Sequence, residues 1–371
     1  MHKGMAYLRR KAPALAVVFV CAVGLAWNFS IAVFGAHAWG VDYNQFYASS
    51  RLAGTGHLYD WDALRKIEAE NGAYEVPTGR LPVVLYSHKL LGNFPYAVAR
   101  SIWTACGIAA LIVFAMTWPG AGRPLMMMAL AWSLPATLVV LYGQDVPFWV
   151  MFFAAGLLLI GRKKPWSAGI ALSLCICKFH LALGIPVMLA AQRRWKTLIA
   201  GALAVSVLIA CCFLIEGPGW LAGYAKMSHL PAIAPPPERA PNLYGLASWL
   251  PWASAAEVVA GAAIAVLLWA ACRGIGEVGL AGAAAAAGGL LLSHHAYAGD
   301  CTLLIPLSVL TAQRQGAPGW LRLWAVLMLT PASVLLLLSQ KPWLGQVLIA
   351  GFVATAVWFA RSKPLSRPAH S

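Results

Sequence analysis

Apolar runs follow one another along almost the whole chain, near 14–34, 97–118, 125–141, 146–160, 167–177, 179–191, 198–215, 253–271, 278–293, 300–312, 321–338 and 344–360. Runs of this length and spacing are what membrane helices require, and they leave room for little else. The sequence therefore predicts an all-α polytopic membrane protein with about ten to twelve membrane helices, some of them short or re-entrant. Composition agrees: of 371 residues 61% are hydrophobic and only 11% are charged, far from the balance of a soluble domain. With no soluble insertion and no clear internal repeat, residues 1–371 read as a single membrane domain.

The net charge of +15 raises the question of nucleic acid, which needs a basic face on a folded domain. Here Lys and Arg sit in short clusters between apolar runs, as positive-inside topology produces. If the helices cross in turn, 17 of the 27 basic residues fall in the termini and in the joints near 123, 162–164, 193–196, 273 and 314–322. Both termini are then cytoplasmic. The first run, 14–34, is too long for a signal-peptide core and reads as a retained span. Ten of the twelve acidic residues fall in outward stretches. Acids contribute little to orientation, so an outward-facing polar working surface is the expected cause of their accumulation.

Two outward stretches are large. Residues 38–96 form a first outer loop, with Asn44–Ala53 and Trp61–Asn71 long enough for interfacial helices. Residues 216–252 form a second, punctuated by Pro231, Pro235, Pro236, Pro237, Pro241 and Pro251, where irregular backbone is expected. Between them, 167–191 reads as a short helical hairpin. Its arms of about 11 and 13 residues reach only about 17 to 20 Å at 1.5 Å per residue, short of a hydrocarbon core of roughly 30 Å. The tip carries Lys178, Phe179 and His180. A cation left in lipid is costly, so a cavity open to the outside and reaching down to Lys178 is expected. The competing reading is a single tilted helix with Lys178 paired to an acid in the bundle.

The eight cysteines lie within or beside apolar runs and read as packing residues. Cys175, Cys177 and His180 lack the second ligand pair that makes a metal pattern specific, so no metal and no cofactor are expected. Polar residues suited to chemistry gather elsewhere. Asp42 opens the aromatic stretch Val41-Asp42-Tyr43-Asn44-Gln45-Phe46-Tyr47. Leu141-Tyr142-Gly143-Gln144-Asp145 and Ser293-His294-His295-Ala296-Tyr297-Ala298-Gly299-Asp300 mark two outer turns. Such groups bind phosphate, hydrogen-bond sugars or carry protons.

Asp42 with Tyr43, Phe46, Tyr47 and Ala48, then Gly56-His57-Leu58-Tyr59-Asp60, resembles the opening of family-87 glycosyltransferases. Gly143-Gln144-Asp145 is similar to that family's Gly-Gln element. Basic Arg162 to Lys164, a short arm, Lys178, a second arm and Arg193 to Lys196 resemble its lysine hairpin, and Asn242-Leu243-Tyr244-Gly245-Leu246 and Ser293 to Asp300 resemble two further elements. The resemblance covers most of residues 1–310. Where the family usually has proline after the hairpin lysine and after the serine, this chain has Phe179 and His294. Leu81-Pro82-Val83-Val84 replaces the family's Tyr-Pro-Pro element.

The resemblance implies the GT-C helical fold and a sugar, typically mannose or arabinofuranose, carried on a polyprenyl phosphate at the outer side of a bacterial inner membrane and passed to an envelope glycan or lipid acceptor. Membrane lipids would be the surroundings, and nucleic acid no partner. In this reading Asp42 is the general base of an inverting displacement. Lys178, with His180, His294 and His295, holds the leaving lipid phosphate. Tyr43, Gln144, Asp145, Tyr297 and Asp300 contact the sugar or acceptor, or orient the cations. The rival functions are a multi-pass transporter or lipid flippase, whose ionisable residues should sit at mid-membrane in both halves, and a non-catalytic scaffold, which has no need of a buried lysine.

Overall fold

Helices make up all the regular structure among the described residues of the computed structural model, which are 2–35, 41–72, 74–230, 233 and 236–362. Residues 38–40 and 73 of the first expected outer loop, 231–232 and 234–235 of the second, and the expected cytoplasmic tail 363–371 lie outside them. In chain order the α-helices are α1 (His2–Gly35), α2 (Val41–Leu52), α3 (Trp61–Glu70), α4 (Pro82–Tyr86), α5 (Tyr96–Thr117), α6 (Arg123–Trp132), α7 (Leu134–Tyr142), α8 (Val146–Gly161), α9 (Pro165–Ser173), α10 (Gly184–Ala191), α11 (Trp195–Glu216), α12 (Trp220–Ser228), α13 (Leu243–Ala247), α14 (Ala253–Gly274), α15 (Val278–Leu292), α16 (Ile305–Gln313), α17 (Gly319–Met328), α18 (Ala332–Leu337) and α19 (Pro342–Ser362).

Six stretches among the described residues are long and apolar enough to cross a membrane: Pro13–Ala32, Tyr96–Thr117, Pro165–Ala191, Trp195–Glu216, Ala253–Gly274 and Pro342–Arg361. Helices α6 and α7 form a seventh if counted together, bent by 68° at Ser133. Three shorter apolar helices accompany them; α8 and α15 are largely buried, whereas α17 buries only the face of Leu321, Ala325 and Met328. The chain is thus a polytopic helical membrane protein. The segment 125–141 is not the straight element its hydropathy suggests. Pro135 lacks the N–H needed to continue α6, and the Ser133 hydroxyl caps α7 by accepting from Ala136 N at 3.3 Å.

The centre of the bundle is α15, whose Gly- and Ala-rich sequence is buried along nearly its whole length. Small side chains there let neighbouring backbones approach closely. Gly184 of α10 abuts Ala285 so tightly that a Cβ on it would collide with the Ala285 carbonyl, and Leu181 abuts Gly289 in the same way.

Within Pro165–Ala191 the helix is interrupted at Lys178, which has φ −138° and ψ 67°. Before the interruption, Gly169 packs against Thr197 to Gly201 near the start of α11, and Ile176 and Cys177 join Ile209 and Cys212 near its end. This first arm runs in the direction of α11. After the interruption, α10 runs against α15. The starts of α11 and α15 share one end of the bundle, where Gln192 Nε2 donates to Ile275 O at 3.0 Å.

Helices α2, α3 and α4 form a small polar-capped layer at the other end. Asp60 caps α3 by accepting from Asp62 N and Ala63 N. In α2 the spacing i, i+3, i+4 places Tyr43, Phe46 and Tyr47 on one face. That face is buried in a cluster with Leu58, Leu85 and Ala99, with Tyr96 and Trp103 packed against it. These aromatic side chains are protein core rather than an exposed belt at the headgroups.

Candidate functional site

At the end of the bundle where α2 sits, a cavity of about 250 Å3 is lined by Asp42 and Gln45 of α2, by Val76, Pro77, Gly79 and Arg80 of the loop after α3, and by Gln144, Lys178, Phe179 and His180. Tyr224 and Ser228 of α12, Ile233, His294, His295 and Tyr297 complete its wall. Six separate chain regions therefore deliver polar groups to one space.

Asp42 is held by Gln144, whose Nε2 donates to Asp42 Oδ2 at 2.6 Å. The geometry behind that contact depends on Gly143, which ends α7 with φ +70°. Its carbonyl accepts from Trp103 Nε1 at 2.8 Å, and a Cβ on Gly143 would lie 2.7 Å from the Cβ of Tyr43. Both the left-handed backbone and the close approach exclude a larger residue. Burial pushes the Asp42 carboxyl above its usual range, while the Gln144 hydrogen bond and the Lys178 and Arg80 charges pull it part of the way back.

Two buried ion pairs flank Asp42. Lys178 Nζ meets Asp300 Oδ1 at 2.5 Å, with side chains 1% and 0% exposed. Asp300 uses its other oxygen to accept from Tyr297 N at 2.8 Å, which fixes the carboxylate. The Lys178 ammonium also lies 6.0 Å from the centre of the Tyr297 ring. The second pair is bidentate: Arg80 Nε and Nη2 donate to Asp145 at 2.6 and 3.1 Å. Burial works to raise the Asp145 pKa, but the Arg80 guanidinium, helped by Lys178, outweighs it and holds Asp145 below the usual carboxylate range. Arg80 stands 5.8 Å over the Phe46 ring, and that ring stacks on His88 with centroids 4.8 Å apart.

The histidines divide. His180 and His295 face each other edge-on at 5.3 Å, and the buried His180 Nε2 has no hydrogen-bond partner among the described residues. Burial and the Lys178 and Arg80 charges drive His295 down to about 3, so near neutral pH it is uncharged imidazole. His294 sits at the rim, 68% exposed, with Nδ1 2.7 Å from Glu257. The 293–297 turn is pinned from below: Asn242 Nδ2 donates to Ser293 O at 2.6 Å, and Ser293 Oγ accepts from His295 N and donates to His295 O. Tyr297 OH donates to Ile233 O at 2.9 Å, tying the turn to the second large loop.

Of the residues singled out from sequence, Asp42, Gln144, Lys178, His180, His294, His295 and Tyr297 line the cavity together. Asp145 and Asp300 stand behind it as partners of the two cations. Tyr43 does not reach it; its ring is fully buried, 5.8 Å from Tyr96 and 6.2 Å from Trp103. Sequence reasoning missed Arg80, Gln45, Tyr224 and Ser228. Gln45 was within reach, since position i+3 from Asp42 on a helix shares its face. Among the described residues no cluster of three or more His, Cys, Asp or Glu is placed to hold a metal ion.

A second, apolar hollow adjoins this cavity. A groove of about 490 Å3 runs between α9, α10 and α11, lined by residues such as Ile176, Ala182, Pro186, Leu198 and Val205, and it shares Phe179 with the polar cavity. Leu81, next to Arg80, closes its near end.

The model of glycosyltransferase family 87 matches residues 82–294, more than half of the sequence. No curated protein and no solved structure matches.

Proposed function

The chain belongs to glycosyltransferase family 87, and from that premise we propose that it moves a sugar, mannose or arabinofuranose, from a polyprenyl-phosphate donor to an envelope glycan or lipid acceptor. The observation that carries the donor class is the meeting of a charged cavity with an apolar groove at Phe179. A lipid-linked sugar has the same division: sugar and phosphate suit the charged space, and the isoprenoid chain suits the groove. We read 167–191 as a re-entrant hairpin whose tip, at Lys178, brings a cation to the phosphate at the lipid edge.

In this reading Asp42 removes the proton from the acceptor hydroxyl as that oxygen attacks the anomeric carbon. A carboxylate made more basic by burial suits that task, and Gln144 holds it in place. One displacement inverts the anomeric centre. The leaving phosphate needs charge stabilisation more than protonation, and Lys178 supplies it. Neutral His295 contributes a hydrogen bond rather than charge, and His180 faces it edge-on. His294 and Tyr297 sit where the sugar or acceptor enters.

The charge pattern supports an exterior site on a bacterial inner membrane. Gln144 precedes α8 and the basic cluster Arg162 to Lys164 follows it, so the cavity and that cluster occupy opposite ends of the helix. The test uses purified protein in nanodiscs with polyprenyl-phosphate mannose and arabinofuranose donors, following release of lipid phosphate. Wild type is expected to release it and folded Asp42→Asn to lose at least about 100-fold of the rate. Equal release from both removes Asp42 from its role, and no release from any donor brings transport forward.

A further inference from the structure

We propose that Arg80, alongside Lys178, binds the phosphate of the donor and that its charge acts chiefly on the departing monoester. The inference rests on the polyprenyl-phosphate reading above and adds a residue that lies just outside the matched span of 82–294.

The charge balance of the reaction asks for a second cation. The acceptor O–H bond breaks and its proton passes to Asp42, which goes from anionic to neutral. The acceptor oxygen bonds to the anomeric carbon, and the bond from that carbon to the phosphate oxygen breaks with its electron pair. The phosphate enters as a diester with one negative charge and leaves as a monoester with one more. Negative charge therefore moves from Asp42 to the phosphate during the step. A cation within the field of both sites follows that movement, and one cation alone faces a dianion at the end.

Arg80 is placed for it. Its side chain is only 11% exposed, yet it lines the cavity. Nε and Nη2 are taken by Asp145, which stands behind the wall, while Nη1 has no hydrogen bond among the described residues. Asp145 fixes the guanidinium plane, so little reorganisation is needed when charge appears. Phe46 supports it from the α2 side at 5.8 Å. Leu81, the next residue, lines the apolar groove, so Arg80, like Phe179, stands where that groove gives way to polar space. A planar fork with a free nitrogen suits a phosphate oxygen.

The duller role for Arg80 is a strap that ties the 74–80 loop to the start of α8. Neutralising both partners separates the two. Arg80→Gln and the double variant Arg80→Gln/Asp145→Asn are compared with wild type for lipid-phosphate release, with kcat and KM determined separately, and for binding of polyprenyl phosphate itself. The double variant keeps a hydrogen-bonding pair without burying an unpaired charge, and a thermal melt confirms its fold. If Arg80 stabilises the departing phosphate, both variants lose about 100-fold in kcat with KM changed by no more than about threefold. Binding of polyprenyl phosphate, which carries the full product charge, weakens at least about tenfold in both. If the double variant returns to within about threefold of wild type in kcat and in product binding, Arg80 is a strap and the proposal fails. A wild type that neither turns over any polyprenyl-phosphate sugar nor binds polyprenyl phosphate overturns the donor reading along with it.

Discussion

The two buried ion pairs of the cavity do similar electrostatic work by different structural means. Lys178 lies at a break in a membrane-depth helix and its partner Asp300 is wholly buried. Arg80 lies on an irregular loop between α3 and α4 and meets Asp145 with two nitrogens while keeping some exposure. Both cations line the cavity, but the fully buried lysine is held at a helix break inside the bundle and depends on its partner or a ligand for its charge. The arginine is held by a loop at the cavity wall and keeps some exposure. The first pair anchors the fold as much as the site; the second is free to be tuned for chemistry.

The sharpest way to break this distinction is to remove each cation with an apolar residue of similar length and measure stability in nanodiscs. Lys178→Met leaves Asp300 charged and enclosed, and such orphaned charges cost about 3–5 kcal/mol. Arg80→Met also leaves a buried aspartate unpaired, but it vacates a site at the cavity wall where the side chain was 11% exposed against 1% for Lys178, and is expected to cost clearly less. Equal losses, or a larger loss for Arg80, would erase the contrast.

A smaller effect probes how Asp42 is poised between the pairs. In the proposed role of general base it works ionised, so kcat/KM is expected to be full above its pKa and to fall as pH drops through it. Burial has raised that pKa, which places the acid limb above the pH expected of an ordinary aspartate. Gln144→Leu removes a hydrogen bond that lowers the pKa. The limb is then expected to move to still higher pH. A pH–rate profile that stays in place in Gln144→Leu would show that another group sets the limb.

The same contrast explains what could be read from the sequence. Lys178 was legible because a lone cation interrupts two apolar arms, and hydropathy reports such interruptions directly. Arg80 was not, because it sits in a loop with no periodicity, among Arg65, Lys66 and Lys89, which look no different in sequence. The division of α2 was half legible. Asp42 stood out as an acid beside aromatic residues, but only the helical period shows that Tyr43 turns away into the core while Gln45 turns with Asp42 toward the cavity. The bend at Ser133 lay hidden inside an apolar run, although Ser133-Leu134-Pro135 carried the cap and the missing N–H that produce it. Helix number and burial were legible in outline because hydropathy fixes them. The pairing of distant charges, 65 residues apart for Arg80 and Asp145 and 122 for Lys178 and Asp300, depends on tertiary packing that no local pattern encodes.

The most direct test of the account is a structure of Asp42→Asn in nanodiscs with a polyprenyl-phosphate sugar bound. The account predicts the phosphate within hydrogen-bonding distance of Lys178, the anomeric carbon facing residue 42, and the isoprenoid chain passing Phe179 into the groove between α9, α10 and α11. A donor whose phosphate lies outside the cavity, or whose chain lies in the separate apolar hollow between α1, α5, α6 and α7, would contradict it.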